Sequence, residues 1–254
     1  MVAGARPAGP PGYTYAGLVI RLPEGAEAAT DSTGRHEDLL AALRQVRFTG
    51  WLGHPENGWL PAVAANGNGT VAAGRRGVVG VGQWLAERFP TTILAYQVVA
   101  DRQLLLAAWT DGKELGRYVS DPAYGLDDDT LPDPLGTEHA TAFAAACGHP
   151  EAADDLSELL TEELDPDSVI ESERLAQILR LLSLPRWLVA AASLPRDLPA
   201  GPRARDLTRL GAGAEGLAGR LRGWAANVVR RRRPPPRAVP DAPHGGADID
   251  PWLL

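Results

Sequence analysis

The clearest strand pattern in this chain lies near its middle and constrains the fold more than any other feature. Residues 92–99, 103–109 and 114–119 are rich in β-branched, aromatic and other apolar residues, and short polar turns separate them. The second and third segments are joined through Asp111-Gly112, a dipeptide that accepts the positive φ angles of a tight hairpin turn. We therefore predict a three-stranded antiparallel meander.

Further strands are predicted before the meander. Residues 13–21, 47–52 and 59–64 carry strand-forming residues, and Asn57-Gly58 favours a hairpin between the last two segments. Together with the meander, these segments predict an antiparallel sheet of about five strands in an α+β fold.

Two segments in the same half of the chain favour helices. Residues 37–46 and 78–89 repeat apolar residues at the three- and four-residue spacing of a helix, and Pro90 ends the second one. We expect one or two helices on a face of the sheet. A later segment, residues 186–194, fits either a strand or a helical turn.

The chain then continues with three predicted helices of high negative charge. Gly148 ends the first helix, Pro150 opens the second, and Ser168 with Glu171 forms a capping box for the third. Residues 151–173 contain ten carboxylates and no basic residue. We interpret this acidic run as a docking surface for a basic partner or for the protein's own tail, with a solvated helix face as the alternative. The residues that we assign to it are Glu158, Glu162 and Glu163.

The C-terminal part is basic and rich in proline and glycine. The whole chain has a net charge of −7. Residues 203–237 carry +8 and residues 238–254 carry −3, which leaves −12 for residues 1–202. This composition predicts a disordered tail with a short amphipathic helix over residues 214–233 that folds against a partner. Its predicted binding residues form an apolar stripe, an arginine cluster and an aromatic terminal peptide: Leu217, Leu221, Trp224, Val228, Arg230, Arg231, Arg232, Arg233, Trp252, Leu253 and Leu254.

These patterns divide the chain into three parts. Residues 1–12 are predicted to be disordered and residues 13–200 to form one globular domain, with a sheet-rich part at 13–121 and a helical part at 136–194. Residues 201–254 form the basic tail.

Composition limits the compartment and the source. The chain has one cysteine and no apolar run of the length that a membrane span needs, and its N-terminus does not resemble a signal peptide. We therefore expect a soluble cytoplasmic protein, at most peripheral at the inner face of the membrane. All but one of the 25 basic residues are arginines, which is typical of a high-GC genome, and we expect a bacterial source.

No segment carries a complete catalytic or metal-binding motif. The glycine-rich residues 74–82 match neither dinucleotide- nor triphosphate-binding patterns. Cys147 with His139 and His149 lacks the second ligand pair of a zinc site, and residues 127–129 lack the glycine of a calcium loop. We predict no catalytic residue, cofactor or metal.

These observations favour a non-enzymatic protein that binds other proteins, as an adaptor, a chaperone-like protein or an immunity-type protein. One alternative is a peripheral protein that the arginine-rich segment attaches to an anionic membrane. Another is an enzyme of unknown type that uses His54, His139 or the aspartates at 127–129. Nucleic acid is a disfavoured partner because the first 202 residues carry −12.

Overall fold

The protein is described here by a computed structural model that covers most of the chain. The described residues are 12–22, 28–125, 133–162, 171–198 and 201–211, together with the single positions Ala225 and Val228.

Seven strands form one sheet in which every neighbouring pair is antiparallel. The strands are β1 (Tyr15–Arg21), β2 (Gly50–Leu52), β3 (Trp59–Ala64), β4 (Ile93–Val99), β5 (Gln103–Thr110), β6 (Lys113–Val119) and β7 (Thr208–Leu210). Their order across the sheet is β6-β5-β4-β1-β3-β2-β7. The predicted α+β class, the antiparallel sheet and the meander β4-β5-β6 are therefore confirmed.

The hairpin dipeptides lie where the sequence places them. Asp111 and Gly112 connect β5 to β6 with φ angles of 50° and 78°. Asn57 and Gly58, between β2 and β3, also have positive φ angles, of 50° and 78°. These local signals set the register of neighbouring strands, because a tight turn brings particular residues of the two strands opposite each other.

The sheet has seven strands where we expected about five, and β7 is the one strand that no predicted segment covers. Its three residues pair with β2 at the sheet edge, and Leu210 within it and Leu207 just before it are buried. The sheet thus includes residues that we had placed in the tail beyond residue 200. A three-residue strand is too short to show an alternating pattern, which explains why the sequence analysis overlooked it.

Helices cover both faces of the sheet. The helices are α1 (Ala28–Gln45), α2 (Val78–Ala86), α3 (Ala140–Cys147), α4 (Ala153–Thr161) and α5 (Glu171–Leu181). Successive residues of β1 alternate between two apolar cores, as the period of a strand requires. Leu18 and Ile20 pack in the core beneath α1 and α2, whereas Tyr15 and Val19 pack in the core beneath α3, α4 and α5.

Most predicted helix ends agree with the structure. Gly148 ends α3 in the left-handed conformation with a φ of 85°, and a single 3₁₀ turn at Pro150–Ala152 leads into α4. α1 begins earlier than residue 37, and α2 ends three residues before Phe89. Residues 186–194, for which we left two alternatives, form the 3₁₀ helix Arg186–Ser193. The capping box at Ser168 lies outside the described residues.

None of the helices in the described part of the chain is both long and apolar enough to cross a membrane.

Candidate protein-binding surface

α4 and α5 lie side by side and leave an open groove between them with a volume of about 760 Å³. The α4 side carries three carboxylates, Asp155, Glu158 and Glu162. Their spacing of three and then four residues places all three on one stripe of the helix surface. The predicted docking residues Glu158 and Glu162 therefore line the same groove, and Asp155 joins them.

The amphipathic pattern of α4 explains why these carboxylates face outward. Leu156, Leu159 and Leu160 are buried in the core beneath the helix, whereas Asp155 and Glu158 on the other side are exposed. Asp154 and Asp155 also lie in the first turn, where the helix dipole favours negative charge. The same pattern that packs α4 onto the sheet thus creates an acidic outer face.

The rest of the groove is partly apolar. Leu159 borders it from α4, and the half-buried Leu181 and Gln177 border it from α5. Arg180 is the only basic residue among the lining residues, so the ionisable side chains of the lining carry a net charge of −2. This combination of apolar surface and carboxylates suits a ligand that is both apolar and cationic.

The three carboxylates form no ion pair with any residue that the structure describes. Arg180 across the groove lowers the net charge of the lining to −2 but forms no ion pair with any of the three. At ordinary ionic strength, charges separated by less than about 10 Å still act together on a cationic ligand.

Arg174 of α5 holds the groove walls together from below. Its guanidinium donates hydrogen bonds to the carbonyl oxygens of Leu160 and Glu162, at 3.3 and 2.8 Å, and to the hydroxyl of Tyr118 on β6. The last carbonyls of a helix have no partner within the helix, so Arg174 satisfies groups at the end of α4 that would otherwise be left unpaired. This side chain links α5, α4 and the sheet.

The first turn of α5 is attached to the sheet by a buried chain of hydrogen bonds. The Tyr15 hydroxyl donates to Ser172 Oγ at 2.8 Å, and the Ser172 hydroxyl donates to Asp101 Oδ1. Asp101 Oδ2 accepts from the backbone amide of Tyr13 at 2.9 Å. Asp101 and Ala100 form the β4–β5 turn with φ angles of 53° and 52°, so the network also holds a left-handed turn that contains no glycine.

Burial changes the protonation chemistry of this region. Glu171 and Arg174 side chains are each 2% exposed, and Arg174 Nε lies 3.4 Å from Glu171 Oε2. Desolvation raises the pKa of the Glu171 carboxyl above its ordinary value, although the positive charge of Arg174 opposes the shift. Burial likewise raises the pKa of the Tyr15 hydroxyl, which makes Tyr15 a hydrogen-bond donor at neutral pH.

Most of the other predicted binding residues lie outside the described part of the chain. These residues are Glu163, Leu217, Leu221, Trp224, Arg230, Arg231, Arg232, Arg233, Trp252, Leu253 and Leu254. Val228 is described, with a helical backbone and a half-buried side chain.

The residues that we weighed for catalysis do not come together in the groove, which contains neither histidine nor cysteine. His54 is exposed. His139 Nε2 lies 3.6 Å from Glu138 Oε1, and His149 Nδ1 lies 2.9 Å from Glu151 Oε1. Within the described ranges, no three histidine, cysteine or acidic side chains are grouped as metal ligands. The aspartates at 127–129 fall outside those ranges.

Cys147 is unsuited to be a nucleophile. It is 4% exposed in the core beneath α3, and burial raises the pKa of its thiol to about 12. The reactive thiolate is therefore scarce at neutral pH. Cys147 therefore acts as a small apolar residue of the core.

Sequence reasoning missed the buried polar network, although one signal was present. In α5 the apolar residues Leu175, Ile178 and Leu179 define the buried face, and Glu171 and Arg174 lie on that same face at helical spacing. Two opposite charges on an otherwise apolar face indicate a buried pair. The partners on the sheet had no comparable signal.

No family model, curated protein or solved structure matches this chain.

Proposed function

We propose that this protein acts without catalysis by binding other proteins, as an adaptor or a chaperone-like or immunity-type protein, and that its groove between α4 and α5 receives a basic amphipathic segment. The observation that supports this proposal is the stripe of Asp155, Glu158 and Glu162 beside the apolar surface of Leu159 and Leu181. A helix with arginines beside one apolar face matches both parts of this lining.

The carboxylates and the apolar residues of the groove should contribute differently to the free energy of binding. Exposed ion pairs contribute only about 0–1 kcal/mol each, so three carboxylates alone give weak and salt-sensitive binding. Leu159 is only 6% exposed, so the apolar surface open to a ligand comes mainly from the half-buried Leu181. Fully burying one large apolar side chain of the ligand contributes at most about 1.5–3 kcal/mol. The carboxylates then select a cationic partner and orient it.

The test compares two variants that remove the same number of negative charges. The groove variant carries Asp155→Asn, Glu158→Gln and Glu162→Gln. The control variant carries Glu37→Gln and Asp38→Asn at exposed positions of α1 and Glu87→Gln at the exposed position that follows α2. Full-length wild type and both variants are immobilised, and the proteins that each retains from a lysate of the source organism are quantified by mass spectrometry.

We expect that wild type and the control variant retain at least one lysate protein in equal amounts. The groove variant should fail to retain that protein. The purified partner must then bind wild type with an affinity that falls as salt rises, and its contact segment must be basic and amphipathic. If all three proteins retain the same partners in equal amounts, the groove is not the binding surface. If none retains a specific protein, the proposed function is wrong.

A further inference from the structure

One segment of the same chain combines positive charge with an apolar helical pattern. Between residues 217 and 233 there are six arginines and no carboxylate. Leu217, Leu221, Trp224 and Val228 follow one another at the spacing of a single helix face. The described position Ala225 within this segment has a helical backbone and is exposed.

We infer that residues 217–233 dock in the groove between α4 and α5. The arginines of this segment lie beside Asp155, Glu158 and Glu162, and its apolar stripe lies over Leu159 and Leu181. An incoming partner must therefore displace residues 217–233 from the groove. This inference rests on the proposed function, because it assigns the regulation of the same groove. It does not require that any particular partner exist.

Charge complementarity is the first argument for this occupant. The first 202 residues carry −12, and the acidic run at 151–173 concentrates ten carboxylates without a basic residue. The arginine segment is the main positive region of the chain, since residues 203–237 carry +8. Two regions of opposite charge in one molecule attract each other at every protein concentration, whereas a separate partner has to be abundant to compete.

Chain length allows the contact. β7 ends at Leu210, and β7 lies at the sheet edge opposite β6, whose Tyr118 contacts the end of α4. Six strand spacings of about 4.8 Å separate the two edges by about 29 Å. Leu217 is seven residues beyond Leu210, and an extended chain of that length reaches about 24 Å. The eight helical steps from residue 217 to residue 225 add about 12 Å, so Ala225 reaches about 36 Å from the end of β7.

Tethering makes even a weak contact significant. A short flexible linker gives an effective concentration of about 1 mM, so a segment with an intrinsic Kd of about 0.1 mM fills the groove about 90% of the time. A partner then binds only the open fraction, and its apparent affinity is about tenfold weaker than for the open groove. The segment therefore sets a threshold for partner binding.

The test measures proximity in the full-length chain. Gln177, which lines the groove, and Ala225 are both changed to cysteine, and a short bis-maleimide reports whether the two thiols meet within one chain. The control pair is Glu37→Cys with Ala225→Cys, because Glu37 is exposed on α1 across the sheet. The native Cys147 stays in place, since it is 4% exposed and reacts poorly.

We expect at least about fivefold more intrachain cross-link in the Gln177 pair than in the control pair, as a raised local concentration predicts. The excess should disappear when Asp155, Glu158 and Glu162 are neutralised, and it should fall as salt rises. Equal yields for the two pairs, or an excess that survives neutralisation, would overturn the inference. Binding of the full chain to phosphatidylserine vesicles without an excess of the Gln177 cross-link would assign the segment to the membrane instead.

The two proposals fail separately. If the Gln177 pair cross-links but no lysate protein depends on the groove, the self-docking stands and the proposed function does not. If a partner depends on the groove while the Gln177 pair shows no excess, the proposed function stands and residues 217–233 lie elsewhere.

Discussion

Arg174 Nε lies 3.4 Å from Glu171 Oε2 one turn apart on α5, and both side chains are 2% exposed. Taking two charges out of water is costly, and their attraction offsets the cost only when the remaining polar atoms find partners. Arg174 Nη1 and Nη2 find partners in Tyr118, Leu160 and Glu162, whereas Arg174 Nε and Glu171 Oε2 face each other without a hydrogen bond. The pair therefore ties the groove walls to the sheet.

Replacing Arg174 with methionine should destabilise the protein strongly. The change leaves the Glu171 carboxylate buried without its partner and frees the carbonyls at the end of α4, a loss of about 3–5 kcal/mol in the free energy of unfolding. Urea denaturation of the full chain measures it. Arg180→Met on the exposed side of α5 is the control and should change stability by less than about 0.5 kcal/mol. Equal effects at the two positions would show that the buried contacts of Arg174 contribute nothing.

Replacing Glu171 with glutamine should reveal a pH-dependent difference from wild type. Because the folded pKa of Glu171 is raised, ionising this group costs the folded state more than the unfolded state. The cost is absent below the ordinary carboxyl pKa of about 4.3 and grows as pH rises through the higher folded pKa.

The stability difference between Glu171→Gln and wild type should therefore shift in favour of the variant as pH rises from about 4 to 7, because only wild type bears the cost of ionising a buried carboxyl. Unfolding free energies across this range measure the difference, and Glu158→Gln at an exposed position is the reference. A variant that is clearly less stable than wild type at pH 7, and recovers only on acidification, would contradict the direction of the shift.

Replacing Ser172 with alanine should loosen the first turn of α5. The substitution leaves the Tyr15 hydroxyl and Asp101 Oδ1 without their buried partner, and each such loss costs about 1–3 kcal/mol. Tyr15→Phe removes only the end of the chain of hydrogen bonds and should cost less. In the double variant the two losses should overlap, because both act on the same bond. Strictly additive losses in thermal unfolding would indicate that the two residues act independently.

Replacing glycine with alanine should change the stability of the protein in opposite directions at two positions. Gly136 has a φ of 83°, and a Cβ atom there would lie 1.7 Å from the carbonyl oxygen of Arg117 on the edge strand β6. We expect Gly136→Ala to cost at least about 2 kcal/mol. Gly34 lies within α1 with open space around it, so Gly34→Ala should stabilise by about 0.5–1 kcal/mol. Chemical denaturation of both variants checks this, and a neutral effect at Gly136 would contradict the close approach.

The elements that sequence reasoning predicted well are those encoded by neighbouring residues. Asp111-Gly112 and Asn57-Gly58 specify tight turns through the φ angles that they tolerate, so the meander and the β2–β3 pairing follow from local chemistry. β7 is different, since its three residues are held by pairing with β2 and by the burial of Leu210 in the core, and both contacts involve residues distant in the sequence.

The candidate groove was predictable on one side only. The spacing of Glu158 and Glu162 within an acidic, amphipathic helix indicated one wall. The other wall depends on Gln177 and Leu181, which approach α4 only after both helices pack on the sheet. The network beneath them joins Ser172 to residues 71 and 157 positions away, separations that no local pattern reports.

The most direct test of the binding groove places a photo-reactive amino acid at Gln177 of the full-length protein and, separately, at Glu37. Both proteins are irradiated in a lysate of the source organism, and the adducts are identified by mass spectrometry. The account predicts an adduct with another protein at Gln177 that is absent at Glu37, maps to a basic amphipathic segment of that protein, and disappears when Asp155, Glu158 and Glu162 are neutralised. Identical adducts at the two positions, or adducts at Gln177 that neutralisation leaves unchanged, would contradict it.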